Sequence, residues 1–510
     1  MSFTRRSLNW RLRQISNIQW MMFAAVIANL IVFYLMVRQP SGHGHDQQIN
    51  SIKELTKIKG EKDGSVAIVI NEFEEFDNRV VETVKRIKSS VPRADVVVVS
   101  EKLPYPPLNL PNFARLLILT PPLFGSILDA QPQQYFDTEY VVFLPDASEI
   151  ITEGSMQIML DSLTEESEYQ MVAWPATPNR DVKCIGLKAD LKNWTLKYTK
   201  ASTYCDALTG HFVLVILQKY LFQLAQPFKR PFHIAFFAQT ALKGWKIKFI
   251  NDFTYRRIDK LFIDGHNLWK HQDRELKRTK ALYKDFGIKL VQYGNGDQEW
   301  YGCHKHTSRC FGSVVNSMPE YIYRGRNTPP CCLKALRKTA LHVFAIFQSN
   351  GIRFWLEGGS LLGAARSGDI IPWDYDIDIG MYKSDILKCE HLLKTDLNPY
   401  EDDQGFVWER AKASEGDFFR VQFSQSNRLH VDIFPFYPKK GNMTKDTWFK
   451  SHPQDMPFPE HYLQPISTIN FLGMPVPAPN NWKSFLELKF GKGVIENPRF
   501  PVPANISNLW

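Results

Sequence analysis

The chain has no compact block of lysine and arginine interleaved with aromatics, and its net charge of +9 is small for 510 residues. Nucleic acid is therefore not an expected partner, and the basic excess fits a phosphate-bearing substrate as well as it fits a solvated surface. No Cys-x2-Cys pair occurs, so none of the standard zinc knuckles is present. No small-x-small site closes the one long apolar run, Ile18 to Val37, which argues against a removable leader. Composition is otherwise ordinary for a folded chain, at 44% hydrophobic and 23% charged residues, and the length allows two to four domains.

The apolar run is long enough to cross a bilayer as a helix. Arg5, Arg6, Arg11 and Arg13 precede it and only Arg38 follows closely, so the positive-inside rule places the N-terminus in the cytosol. Residues 1–17 then read as a cytosolic tail, 18–37 as a transmembrane signal-anchor and 38–64 as a polar linker, with the rest luminal. That is the plan of a single-pass type II protein of the Golgi membrane. Luminal exposure suits the N-glycosylation triplets at Asn193, Asn442 and Asn505. It also permits disulfides, and Cys184 with Cys205 is the natural pair among seven cysteines.

From Ser65 strand-like runs alternate with helix-length segments: VAIVINEF, a helix over Asp77 to Ser90, ADVVVVS, ARLLILT and EYVVFLPDAS. Alternation of this kind argues for an α/β domain with a largely parallel sheet, here residues 65–288. The order resembles the nucleotide-binding half of a GT-A glycosyltransferase. Where such a domain carries a paired metal-binding acid, this chain offers only Asp146. The stem domain is therefore expected to lack transferase activity. The charged run from Lys270 to Lys280 reads as a solvated helix leading out of it.

Residues 289–510 open with Cys303, Cys310, Cys331 and Cys332. Four thiolates suit a closed structural Zn²⁺ site, and two disulfides suit the same residues in an oxidising compartment. The stretch WLEGGSLLGAARSGDIIPWDYDIDIG follows. It reads as strand, Gly-Gly-Ser turn, short helix, and a second strand carrying Asp374, Asp376 and Asp378, which at alternate positions share one face. Three like charges on one face are costly unless a cation neutralises them. Oxygen ligands at this spacing suit Mg²⁺ or Mn²⁺ shared with substrate phosphates. Asp432, in the strand HVDIFPFY, is the expected carboxylate from the opposite flank. The amides of Gly358, Gly359 and Ser360 open the helix toward a phosphate. Arg366 is the leading cation for phosphate; Arg420 either neutralises a phosphate or pairs with an aspartate. Asp376 or Asp432 is the candidate base for the acceptor hydroxyl.

EGGSLLGAAR, IPWDYDID and HVDIFPF together resemble the LicD family, whose members move an alcohol phosphate from a CDP carrier onto a glycan. Where bacterial members often carry a further acid, this chain has Tyr375, expected on the face opposite Asp374 and Asp376. EWYGCHKHTSRCFGSVV, TPPCCLKALR and FLELKFGKGVIENP extend the likeness to the luminal ribitol 5-phosphate transferases of that family. The resemblance implies a GT-A-like stem followed by an α+β nucleotidyltransferase-fold catalytic domain. It implies that CDP-ribitol is the donor and that the acceptor is a ribitol phosphate on the O-mannosyl glycan of α-dystroglycan. It implies Zn²⁺ on Cys303, Cys310, Cys331 and Cys332, a homo-oligomer, and association with related glycan-assembly enzymes. The residues themselves leave open another CDP-alcohol, such as CDP-glycerol or CDP-choline, and a non-catalytic scaffold.

Overall fold

The computed structural model describes residues 66–501, apart from 121–130, 150–152, 164–167, 178–180, 252–254, 258–260, 310, 316–317, 414–415, 447 and 450–451. The expected tail, anchor and linker, and the triplet at Asn505, lie outside the described residues. Among the described residues no helix is long and apolar enough to cross a membrane.

Five consecutive apolar residues form β1 (Val66–Ile70), which is buried throughout. Strands buried on both faces read as unbroken apolar runs, because helices cover both sides of a parallel sheet. β2 (Asp95–Ser100), β3 (Ala114–Ile118) and β4 (Tyr140–Phe143) complete the parallel part, in spatial order β3-β2-β1-β4. The connecting helix α1 (Val80–Ser90) buries Val80, Thr83, Val84 and Ile87 at helical spacing. Next to β4 comes the antiparallel β6 (Phe212–Leu217), and beyond it β5 (Met171–Thr177). The α/β stem read from the sequence is thus present.

Asp146 closes the strand from inside the fold. It is buried, and its carboxylate accepts the amides of Arg79 (2.9 Å) and Ala147 (2.7 Å), so it fastens α1 to the end of β4. The charged run is less solvated than expected. It lies in α2 (Gly265–Phe286), whose N-cap Asp264 accepts from the Asn267 amide. From α2, Arg274, Arg278 and His271 converge on the buried Glu74, joined by Arg230. Burial opposes ionisation of Glu74, but hydrogen bonds from His271 and Arg278 and the charges of Arg230 and Arg278 hold it well below the usual carboxylate range. Glu74, His271 and Glu275 come close enough to suggest a metal cluster. Guanidiniums already occupy both oxygens of Glu74, and the group is an ion-pair network.

The stem continues past the boundary expected at 288. Leu290–Gln292 pairs with Thr195–Lys200, and Gln298–Trp300 pairs with Leu290–Gln292, so the junction falls after Trp300. Cys184 and Cys205 form the expected disulfide within this domain. Its hairpin tip docks on the second domain. The Trp194 indole N–H donates to the Asn327 carbonyl (2.6 Å), and Asn327 donates its amide to Asn193 (2.8 Å).

The first long helix of the second domain is α3 (Pro330–Ser349), which ends before Gly351 in the left-handed region at φ 61°. β7 (Phe354–Leu356), α4 (Gly358–Ser367) and β8 (Ile377–Tyr382) follow, then β9 (Val407–Ala413), β10 (Gly416–Gln422) and β11 (His430–Lys439). Their order across the sheet is β7-β8-β11-β10-β9, with β8 and β11 parallel and the other pairs antiparallel. Gly380 on β8 is required by packing, since a Cβ there would lie 2.4 Å from the Trp355 ring. The closing helix α5 (Trp482–Phe490) is capped by Asn481 and packs on α4.

Candidate active site

Only Asp378 of the three clustered acids is on a strand. Ile371 to Asp376 form the turn and loop that lead into β8, so Asp374 and Asp376 reach the site from the loop and not by strand alternation. The loop is held in place from α3's lead-in: the Thr328 amide donates to the Pro372 carbonyl (2.8 Å), and the Thr328 hydroxyl donates to that of Asp374. Tyr375 is also re-aimed. It lines the cavity alongside the acids, its ring edge-on to Phe311, and does not point away as alternation predicts.

Asp432 on β11 is the register partner of Asp378 on β8. Neighbouring parallel strands are roughly 4.8 Å apart, so the two carboxylates flank one point. All four acids line a cavity of about 820 Å³, within the size range of sites for nucleotide-sized ligands. Burial raises Asp374 and Asp378 well above the ordinary carboxylate range, and the charge of Asp376 adds to this. Burial raises Asp376 too, partly offset by His430 and Arg420.

The two glycines that open α4 make room for these acids. A Cβ on Gly359 would sit 2.7 Å from Asp374 Oδ2, and one on Gly358 3.4 Å from Asp378 Oδ2. Half-buried Asp374, Asp376 and Asp378, with the buried Asp432, present mutually repelling carboxylate oxygens that are a donor set for a hard divalent cation, and Mg²⁺ or Mn²⁺ fits it.

Three residues read from the sequence do other work. The Ser360 hydroxyl accepts the Asp378 amide (2.9 Å), which ties α4 to β8 and turns the side chain from the cavity. Arg420 resolves to the aspartate-pairing alternative, binding Asp432 through two bonds of 2.7 Å each. Arg366 does not line the cavity; its Nη2 donates to the Val494 carbonyl (2.6 Å) and clamps the segment after α5. Arg366→Ala should therefore leave the transfer rate within about threefold of wild type while costing about 1 kcal/mol of stability. Initial rates and thermal unfolding check this, and a hundredfold rate loss with unchanged stability would return Arg366 to the phosphate.

Besides Arg420, the cations that line the cavity are Arg309, Lys445 and Lys489, with His430 and His452. Lys445 pairs with Asp455 (2.8 Å), and Lys489 pairs with Glu357, which also accepts the Trp355 indole N–H (2.8 Å). Lys489 had a signal in sequence, as a lysine on the apolar stripe of α5 with Phe485 and Leu486. Arg309 and Lys445 had none.

Among the loop cysteines, Cys303 and Cys331 are joined as a disulfide, one of the two alternatives open from the sequence. Cys332 Sγ lies 3.9 Å from Cys303 Sγ, so three sulfurs meet at one point; Cys310 lies outside the described residues. Cys389 is a buried free thiol.

A sheet that presents acids from β8 and β11 beside a glycine-opened helix makes this a nucleotidyltransferase-type domain. In agreement, residues 351–481 match the family model described as LicD/FKTN/FKRP, nucleotidyltransferase domain, and residues 53–294 match the fukutin-related protein stem domain. The chain belongs to the fukutin-related protein family. It is 45% identical over 489 residues to ribitol 5-phosphate transferase FKRP of Mus musculus, covering 95% of this chain and 97% of the mouse protein. Against the Homo sapiens protein of the same name identity is 44% over 490 residues, covering 95% of this chain and 97% of that one. Ribitol-5-phosphate transferase FKTN of Homo sapiens is 26% identical over 165 residues, 31% of this chain and 33% of that protein.

Proposed function

We propose that this protein transfers ribitol 5-phosphate from CDP-ribitol to a ribitol 5-phosphate on the O-mannosyl glycan of α-dystroglycan, releasing CMP. The observation that carries the reaction type is the register of Asp378 with Asp432, which sets carboxylates from two strands on either side of one point, with Asp374 and Asp376 beside them. The choice of ribitol rests on family membership.

Asp374, Asp376, Asp378 and Asp432 would hold Mg²⁺ or Mn²⁺, which when bound supplies charge neutralisation and Lewis acidity at phosphorus. The amides of Gly358 and Gly359 receive phosphate oxygens at the start of α4. Lys445, Lys489 and Arg309 add positive charge around the same cavity. Both oxygens of Asp432 are engaged by Arg420, which leaves Asp376 as the better-placed base for the attacking hydroxyl.

As reduced thiolates, Cys303, Cys310, Cys331 and Cys332 would hold structural Zn²⁺, a role that rests on family membership. The protein is a single-pass type II protein of the Golgi membrane, anchored by residues 18–37, with the exposed Asn193 and Asn442 and also Asn505 as glycosylation positions. It works as a homo-oligomer in association with related glycan-assembly enzymes.

The test is turnover by the full chain in detergent, with CDP-ribitol and a glycopeptide bearing ribitol phosphate, under Mg²⁺, Mn²⁺ or chelator. The expected result is metal-dependent CMP release with a mass gain of one ribitol phosphate. Consumption of CDP-glycerol or CDP-choline instead would change the cargo, and no consumption of any CDP-alcohol by folded protein would overturn the enzymatic reading.

A further inference from the structure

The line of charge at the metal site does not stop at Asp432. Strand register continues it across the sheet: Asp378 on β8 faces Asp432 on β11, Asp432 faces Arg420 on β10, and Arg420 faces Glu409 on β9. Directly opposed residues project from the same side of a sheet, so this row runs outward from the acids. At its outer end lies a second cavity of about 370 Å³, which shares Arg309, Arg420 and His430 with the first. Its remaining polar walls include Arg428, Ser308 and Ser426.

The charge balance of this outer cavity is positive. Arg420 is satisfied by Asp432, and Glu409 accepts the Gln422 side-chain amide (2.7 Å). Arg309 and Arg428 have no carboxylate partner among the described residues; Arg309 rests over the Phe311 ring at 4.9 Å. Burial lowers Arg309, as do the neighbouring charges of Arg420 and Arg428, with Tyr375 opposing. Three guanidiniums face one lining carboxylate, Glu409, and with Arg420 paired to Asp432 the excess charge sits on Arg309 and Arg428, which beside hydroxyl donors form a site for a phosphate anion.

We propose that this outer cavity seats the phosphodiester of the acceptor, the group that joins the attacking ribitol to the rest of its glycan. The inference rests on the reaction proposed above. Position separates this anion from those of the donor. Arg420 is two strand spacings from Asp378, roughly 10 Å. The two phosphates of a CDP carrier are separated by a single bridging oxygen and both belong against the acids. The phosphodiester of the acceptor is separated from its attacking hydroxyl by an extended five-carbon polyol, which spans from one cavity to the other. A transferase built this way selects for acceptors that already carry a ribitol phosphate.

The experiment uses the full chain in detergent, wild type and Arg428→Gln, with two acceptors: the ribitol phosphate glycopeptide and the same glycan with ribitol on a neutral linkage. The expected result is a wild-type preference for the phosphodiester acceptor of about tenfold in KM, the worth of one charge-assisted hydrogen bond. In Arg428→Gln that preference collapses, while KM for CDP-ribitol and the thermal midpoint stay unchanged. Equal use of both acceptors by wild type would overturn the inference, as would a rise in donor KM in place of acceptor KM. Calorimetric binding of the phosphodiester acceptor without donor separates the two readings. Binding that depends on Arg428, with no turnover of CDP-ribitol, sinks the proposed reaction and keeps the anion site. Turnover with Arg428-independent binding does the reverse.

Discussion

Asp378→Asn abolishes transfer and, in the absence of metal, makes the protein more stable than the wild type. Both effects have one cause. Asp378 sits half-buried in a group with Asp374, Asp376 and Asp432, and desolvation and mutual repulsion raise its pKa well above the ordinary value. Asparagine keeps the shape, removes a ligand charge and relieves the repulsion. The rate loss is at least about a thousandfold, since charge development at phosphorus loses its counter-ion.

The stability effect has a defined pH sign. An acid whose folded pKa lies above its unfolded value of about 3.9 costs the fold nothing while both states are protonated. Its penalty grows as pH rises from there through the raised folded value. In chelator, the wild type should therefore lose stability as pH is raised above about 4, and Asp378→Asn should lose less. Adding Mg²⁺ reverses the ranking, because a ligand that binds only the folded state stabilises it by mass action. A variant less stable than wild type in chelator at pH 8 would mean that the acids do not repel one another in the folded protein.

Local patterns in the sequence were informative where one element decides the outcome. The buried run of β1, the amphipathic spacing of α1, the Gly351 stop of α3 and the Gly-Gly start of α4 all follow from propensity and period. Asp432 was legible as an acid on an inward-facing strand position, and its register with Asp378 gives that position its meaning. Strand alternation failed for Asp374 and Asp376 because the turn through Pro372 and Trp373 delays the strand until Ile377. Arg366 lies seven residues after Gly359, about two helical turns or roughly 10 Å along the axis, and a motif read as one block hides that distance. Arg309, Lys445 and Lys489 enter from segments remote in sequence, and only the lysine on an apolar stripe announces itself locally.

That lysine carries the second large effect. Lys489→Met leaves Glu357 buried without a cation, at the entrance to α4 and in one cavity with the four site aspartates. The Trp355 indole still donates to Glu357, and the Glu357 amide still donates to the Asp378 carbonyl (3.0 Å), so the glutamate is held in place with its charge exposed to that repulsion. Breaking one side of a buried ion pair costs about 3–5 kcal/mol, whereas replacing both partners with neutral groups of similar size is close to neutral. Lys489→Met should therefore lower the unfolding free energy by that amount, and adding Glu357→Gln should restore most of it, a coupling that a four-variant denaturation cycle reads directly. Additive losses in the cycle would show that the two side chains do not form a buried pair. The restored double variant then isolates the second contribution of Lys489. Its ammonium lines the donor cavity, so a well-folded double variant should still bind CDP-ribitol more weakly, by about tenfold for one missing charge-assisted contact. Stability regained with affinity still lost would assign the pair two separable roles, sealing α5 against α4 and supplying positive charge where the phosphates must sit.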